Sequence, residues 1–151
     1  MQGMIGHHAQ AVEMVALLPS RSNREDMRLL ARRIEVSQAD EITMMQSWLK
    51  VRGQTLPDPH AYHVHGAVLM PGMLTVEDMS RLAAATGALF DRVFLDSMIR
   101  HHEGALVMVA DLFASAGAGQ DSEIFGFASD VEADQRIEIQ RMAAMIEELE
   151  Q

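Results

Sequence analysis

Two stretches of this chain, MIGHHAQAVEMV at residues 4–15 and MIRHHEGALVMV at 98–109, repeat one another at a constant offset of 94. Met4, His7, His8, Ala11, Met14 and Val15 fall on Met98, His101, His102, Ala105, Met108 and Val109. Whatever local structure one copy adopts, the other is expected to adopt. A second correspondence follows at an offset of 97, where Ile34, Glu35, Gln38, Glu41, Ile42 and Met45 match Val131, Glu132, Gln135, Glu138, Ile139 and Met142. Two motifs in the same order describe one hairpin written twice. Two equivalent hairpins, each with one apolar face, bury those faces best against each other.

The hairpins are expected to be helical. Prolines stand at 19, 57, 59 and 71 only. Because proline breaks helix interiors, residues 20–56 and 72–151 are free to be helix, and apolar residues recur there at helical spacing. The first helix should run to about Leu18, halted by Pro19. The second should take Asn23 as N-cap, place Glu25 and Asp26 in its first turn, and end at Gly53. Thr75 and Asp78 have the spacing of a capping box, opening a region that Gly87 kinks or splits. A stripe through Phe90, Phe94, Met98, His102, Ala105 and Val109 continues towards Gly117, and a last helix covers about 121–150. The expected fold is all-α: a single-domain, ferritin-like four-helix bundle of two duplicated helical hairpins, 1–53 and 75–151. The long His/Met-containing connection at 54–74 holds His60, His63, His65, Met70 and Met73. Rich in proline, histidine and glycine, its stretch from His60 to Met73 is expected to be mobile without metal.

Composition narrows the function. The net charge is −10, and it is uneven: residues 1–75 hold seven acidic and seven basic side chains, leaving fifteen acidic against five basic. Such a chain cannot replace counterions along a phosphate backbone, which excludes nucleic acid as a partner. No apolar run approaches the ~18 residues that span a bilayer. The chain starts inside a helical pattern with no charged-then-apolar leader, from which removal of an upstream segment is expected. With no cysteine there is no disulfide or thiolate site. The soft ligand atoms left are 13 methionine sulfurs, beside 7 histidines.

The chemistry lies on the stripes. Met4 and His8, and Met98 and His102, are spaced i, i+4 and share one face; the second stripe runs back through Leu95 to Asp91. The partner helices carry Gln38, Glu41 and Met45, and Gln135, Glu138 and Met142, on otherwise apolar faces. Buried carboxylates and amides are costly unless paired or bound, so Glu41 and Glu138 are expected to face His8 and His102. Three readings compete. The polar residues specify packing and nothing more. Or they hold a di-iron centre, which needs Glu-x-x-His on two helices; that motif is absent. Or thioether and imidazole together bind a soft ion, copper(I) above all, with His60, His63 and His65 in the connection, followed by Met70 and Met73, supplying a second cluster. Nucleophilic hydrolysis has no support, since cysteine and Gly-x-Ser-x-Gly are both missing.

The stretches MIGHHAQAVEM, RRIEVSQADEI and MPGMLTVEDMSRLAAATGALFDRVFLDSMIRHHEGAL closely resemble a bacterial domain-of-unknown-function family, number 305, along essentially the whole chain. The resemblance implies a ferritin-like bundle and an exported protein, periplasmic or secreted; some members of the family are associated with copper. Its Asp…Met-x-x-His-His pattern falls on Asp91, Met98, His101 and His102, and on Met4, His7 and His8 in the first half. The function expected is copper(I) binding and sequestration by a protein that is not an enzyme, with the metal ion as partner and self-association left open. The alternative is a structural or interaction module, and a redox enzyme on the same scaffold comes third.

Overall fold

The computed structural model describes residues 1–63 and 66–150. Five helices lie among them: α1 (Gln2–Arg21), α2 (Glu25–Val51), α3 (Val76–Ala84), α4 (Gly87–Ala114) and α5 (Ser122–Leu149). Short 3₁₀ turns sit at Ala61–His63 and Ala118–Gln120, and the described residues contain no strand. Among the described residues no helix is long and apolar enough to cross a membrane.

Two helix ends differ from expectation. Pro19 lies inside α1, which continues to Arg21. A proline one turn from the end forfeits a single backbone bond, and fully buried Leu18 anchors the turn before it. The N-cap of α2 is Arg24, not Asn23. The Ser22 hydroxyl accepts from the Arg24 amide at 3.2 Å, and the Arg24 guanidinium donates to Asp26 in the first turn at 3.0 Å, so the short link needs no Asn cap. Before α3 the capping box forms as the spacing predicts, with the Thr75 hydroxyl and Asp78 carboxylate each accepting the other's backbone N–H. Extended Ala85 and Thr86, followed by Gly87 at φ +58°, split α3 from α4.

α1 packs along α2, α4 along α5, and α1 meets α4. Two apolar clusters result, one at each end of the bundle. The first joins Ala11, Met14 and Leu18 of α1 to Met27 and Ile34 of α2, Phe94 and Met98 of α4, and Met142 of α5. The second joins the opposite helix ends: Met4 and Ile5, Met45 and Leu49, Ala105 and Val109, Ala128 and Val131. Members of one cluster map onto the other at the sequence offsets: Met4 on Met98, Ala11 on Ala105, Ile34 on Val131, Met45 on Met142. Each fully buried Leu, Ile, Phe or Met contributes roughly 1.5–3 kcal/mol, so the clusters hold the bundle and everything polar between them is clamped.

The connection is not a loose strap at its end. Tyr62 and Met73 pack on Ala9 as a third apolar cluster, and Leu74 is buried in the first. Gln10 clamps Leu74 twice, its amide donating to the carbonyl at 2.9 Å and accepting from the N–H at 2.7 Å. Gly72, at φ +77°, lies on the α4 backbone at Gly104. Buried apolar side chains and the two Gln10–Leu74 hydrogen bonds hold this end of the connection against α1.

Candidate metal centre

Between the two clusters lies a polar layer. His7, His8, His101 and His102 are all fully buried, and Gln38, Gln135 and Glu138 are buried beside them. Consecutive histidines on a helix point about 100° apart, so each His-His pair sends one ring towards the partner helix of its hairpin and one towards the other hairpin. His8 Nε2 hydrogen-bonds Glu41 Oε2 of α2. His102 Nε2 bonds Glu138 Oε2 of α5 at 2.7 Å. His7 and His101 turn the other way and meet, ring centroids 3.8 Å apart.

The remaining ring nitrogens follow from that pairing. A neutral imidazole has one N–H and one lone pair. When Nε2–H donates to a carboxylate or carbonyl, the lone pair is left on Nδ1. His7 Nε2 donates to the Pro71 carbonyl at 3.0 Å. So three of the four histidines have Nε2 tied, and in each the buried Nδ1 has no hydrogen-bond partner; in His101 neither nitrogen has one. Burying polar atoms without partners is costly. One nitrogen fixed by an acceptor and the other left free is the arrangement that orients a metal-binding histidine.

Burial keeps the rings of His7, His8 and His101 neutral. It is the largest cause that pushes His7 and His8 down to about 3 and holds His101 well below its usual range, with neighbouring histidines adding repulsion. Burial, then the charges of Asp134 and Glu138, lifts Glu41 to about 7. The two carboxylates differ in surroundings. Glu138 is 2% exposed and has Arg33 across from it at 3.4 Å. Glu41 keeps 13% exposure and lines an open groove between α2 and α5 with Asp40, Asp130 and Asp134. Arg32 and Arg33 line the same groove, so Glu41 meets solvent at a mixed mouth with more carboxylates than guanidinium groups.

The sequence-predicted residues are brought together unevenly. Met4 and Met45 share the cluster next to the His8–Glu41 pair, and Met98 and Met142 the one next to His102–Glu138. Asp91 is buried but stands apart: eleven residues before His102, it is about 16 Å away along the axis, and its charge reaches Arg24 instead. His65 lies outside the described residues. His60 and His63, both in the second cluster that the sequence suggests, are joined by Glu13, which sequence reasoning missed. Glu13, His60 and His63 hold ligand atoms within 4.8 Å of one another, the only such His/carboxylate trio among the described residues. The available signal was a break in the repeat, for Glu13 stands where the second copy has Val107.

No curated protein matches this chain. A structure of a protein from Streptomyces coelicolor, inferred to be secreted, shares 28% identity over 98% of this chain and 90% of that one, with a TM-score of 0.84. A fragment from Deinococcus radiodurans shares 30% identity over 97% of this chain and 92% of that one, with a TM-score of 0.83. CopM in its Cu(I)-bound form is 25% identical over 97% of this chain and 95% of that one, with a TM-score of 0.74. Its Cu(II)-bound form gives 26%, 97%, 93% and 0.79. The first two structures are of the family described as "Domain of unknown function (DUF305)", and that family's model matches residues 1–146, so the chain belongs to it.

Proposed function

We propose that this protein binds and sequesters copper(I) in the polar layer, in an exported compartment, periplasmic or secreted. The observation that carries the reading is the set of three buried Nδ1 atoms left free by Nε2 bonds, in a layer flanked by methionines. Imidazole and thioether together suit copper(I), where oxygen-rich sites suit magnesium or calcium. His8 and His102 would be ligands through Nδ1, with Met4 and Met98 as thioether donors one turn away and His7 and His101 as further candidates. Glu41 and Glu138 would orient rings through Nε2, and Met45 and Met142 complete the thioether supply. Asp91 is too far along α4 to join them. The likeness to CopM with copper bound supports the choice of metal, and the likeness to a protein inferred to be secreted supports the compartment.

Competition for copper(I) with a chromophoric chelator, under reducing conditions, tests this. The variant Met98→Leu/His102→Ala nearly conserves volume at the methionine and removes one imidazole, so affinity should fall at least tenfold while far-UV circular dichroism stays native. A folded double variant that binds copper(I) as tightly as wild type would mean that the layer only specifies packing.

A further inference from the structure

A second ion site is built on the surface, where the connection crosses α1. Pro57 and Pro59 stiffen its approach. The Asp58 carboxylate accepts from the His60 amide at 2.9 Å, and the chain turns into the 3₁₀ segment Ala61–His63, closed by the His63 amide donating to the His60 carbonyl at 3.1 Å. In a 3₁₀ turn, residues i and i+3 eclipse one another, so the rings of His60 and His63 fall on one side, centroids 5.4 Å apart. Beneath them is Glu13 of α1. Its two oxygens divide between the rings, with His60 Nδ1 at 2.7 Å from Oε1 and His63 Nε2 at 2.8 Å from Oε2.

We propose that Glu13, His60 and His63 form a site for a divalent transition ion of the copper(II) or zinc(II) kind, distinct from the buried layer and independent of the copper(I) reading. The donor set is two imidazoles and a carboxylate with no sulfur, which favours these ions over copper(I). The geometry is close to what an ion needs. Ligand atoms on one tetrahedral zinc, at roughly 2.0–2.2 Å from it, sit about 3.4 Å from each other. Here all three lie within 4.8 Å of one another. The imidazoles are about half exposed and Glu13 a quarter exposed, so small rotations close the shell and water can fill the fourth position. Binding would exchange the protons now shared with Glu13 for one ion and pin residues 58–63 to α1.

Copper(II) titration at pH 7.5, followed by electron paramagnetic resonance, is the direct test. Wild type should take up one equivalent with an axial spectrum showing splitting from two imidazole nitrogens. His60→Ala/His63→Ala should weaken this binding at least tenfold and lose that splitting, and Glu13→Gln should weaken it less. Because these side chains are exposed, the variants should fold as wild type does. Met98→Leu/His102→Ala should leave the signal intact, which separates failure here from failure of the buried-layer reading. Zinc(II) should slow amide exchange at residues 58–63 in wild type and not in the double variant. Equal copper(II) affinity and unchanged splitting in wild type and His60→Ala/His63→Ala would overturn the proposal and leave the trio as an ion pair.

Discussion

At the scale of single residues, the layer turns on where each imidazole spends its one hydrogen. His102 spends it on Glu138 at 2.7 Å, fully buried. Glu138→Ala removes the acceptor and strands Nε2, which should cost about 1–3 kcal/mol. Glu138→Gln keeps an acceptor and should cost less. Arg33, which is largely exposed, re-solvates in either case and adds little. Urea midpoints for the two variants give the comparison; if Ala and Gln are equally mild, the bond is not stabilising the layer. Glu41 faces His8 in the same way but opens to the groove, so Glu41→Ala can admit water to the stranded ring and should be milder than Glu138→Ala.

At the scale of elements, the departures between the two first-motif helices cluster where the connection lies, which exists only once. Apart from the conservative exchange of Val12 for Leu106, Gly6, Ala9, Gln10 and Glu13 replace Arg100, Glu103, Gly104 and Val107. Gly6 approaches the Pro59 carbonyl, Ala9 packs on Tyr62 and Met73, Gln10 clamps Leu74, and Glu13 meets His60 and His63. On α4, Arg100, Glu103 and Val107 are exposed, while Gly104 seats the Pro71–Gly72 turn. A Cβ on Gly104 would lie 1.9 Å from the Pro71 carbonyl oxygen. Gly104→Ala gains up to ~1 kcal/mol of helix propensity but must expel the turn and its bond to His7, so a net loss of about 1–3 kcal/mol is expected. Gly126→Ala in α5, where a Cβ meets nothing within 4 Å, should instead stabilise by up to ~1 kcal/mol. Thermal unfolding of the two variants should move in opposite directions, and a stabilised Gly104→Ala would show that the turn is not seated there.

At the scale of the whole molecule, burying neutral histidines makes stability depend on pH. His7 and His8 titrate near 6.5 when unfolded and near 3 when folded, and His101 is lowered in the same sense. Their contribution is therefore complete above 6.5 and is lost as pH falls from 6.5 towards 3. Glu41 works oppositely: raised from 4.5 to about 7, its contribution is present below 4.5 and lost as pH rises through 7. Between 4.5 and 6.5 three protons oppose one. At about 1.4 kcal/mol per proton per pH unit, the metal-free protein should lose a few kcal/mol between pH 7 and pH 5. Urea titrations at the two values, with chelator present, provide the measurement; unchanged stability would mean that the rings are solvated.

What could be read from the sequence was what repeats within one helix. Period, proline placement and the paired motifs were enough for four long helices, for the break at Gly87, and for the facing of Glu41 and Glu138 towards His8 and His102, because side chains at i and i+4 share a face whatever packs against them. Helix ends were less legible: Pro19 and Asn23 mislead, since Leu18 packing and the Arg24–Asp26 pair outweigh local preference. Contacts between distant segments were decided by tertiary structure alone. The close approach of His7 to His101, the Pro71 carbonyl that leaves His7 Nδ1 free, the separation of Asp91 from the histidines, and the placing of Glu13 beneath His60 and His63 all depend on how helices and connection are set against one another. No spacing along a single helix encodes that, because those atoms become neighbours only when the bundle closes.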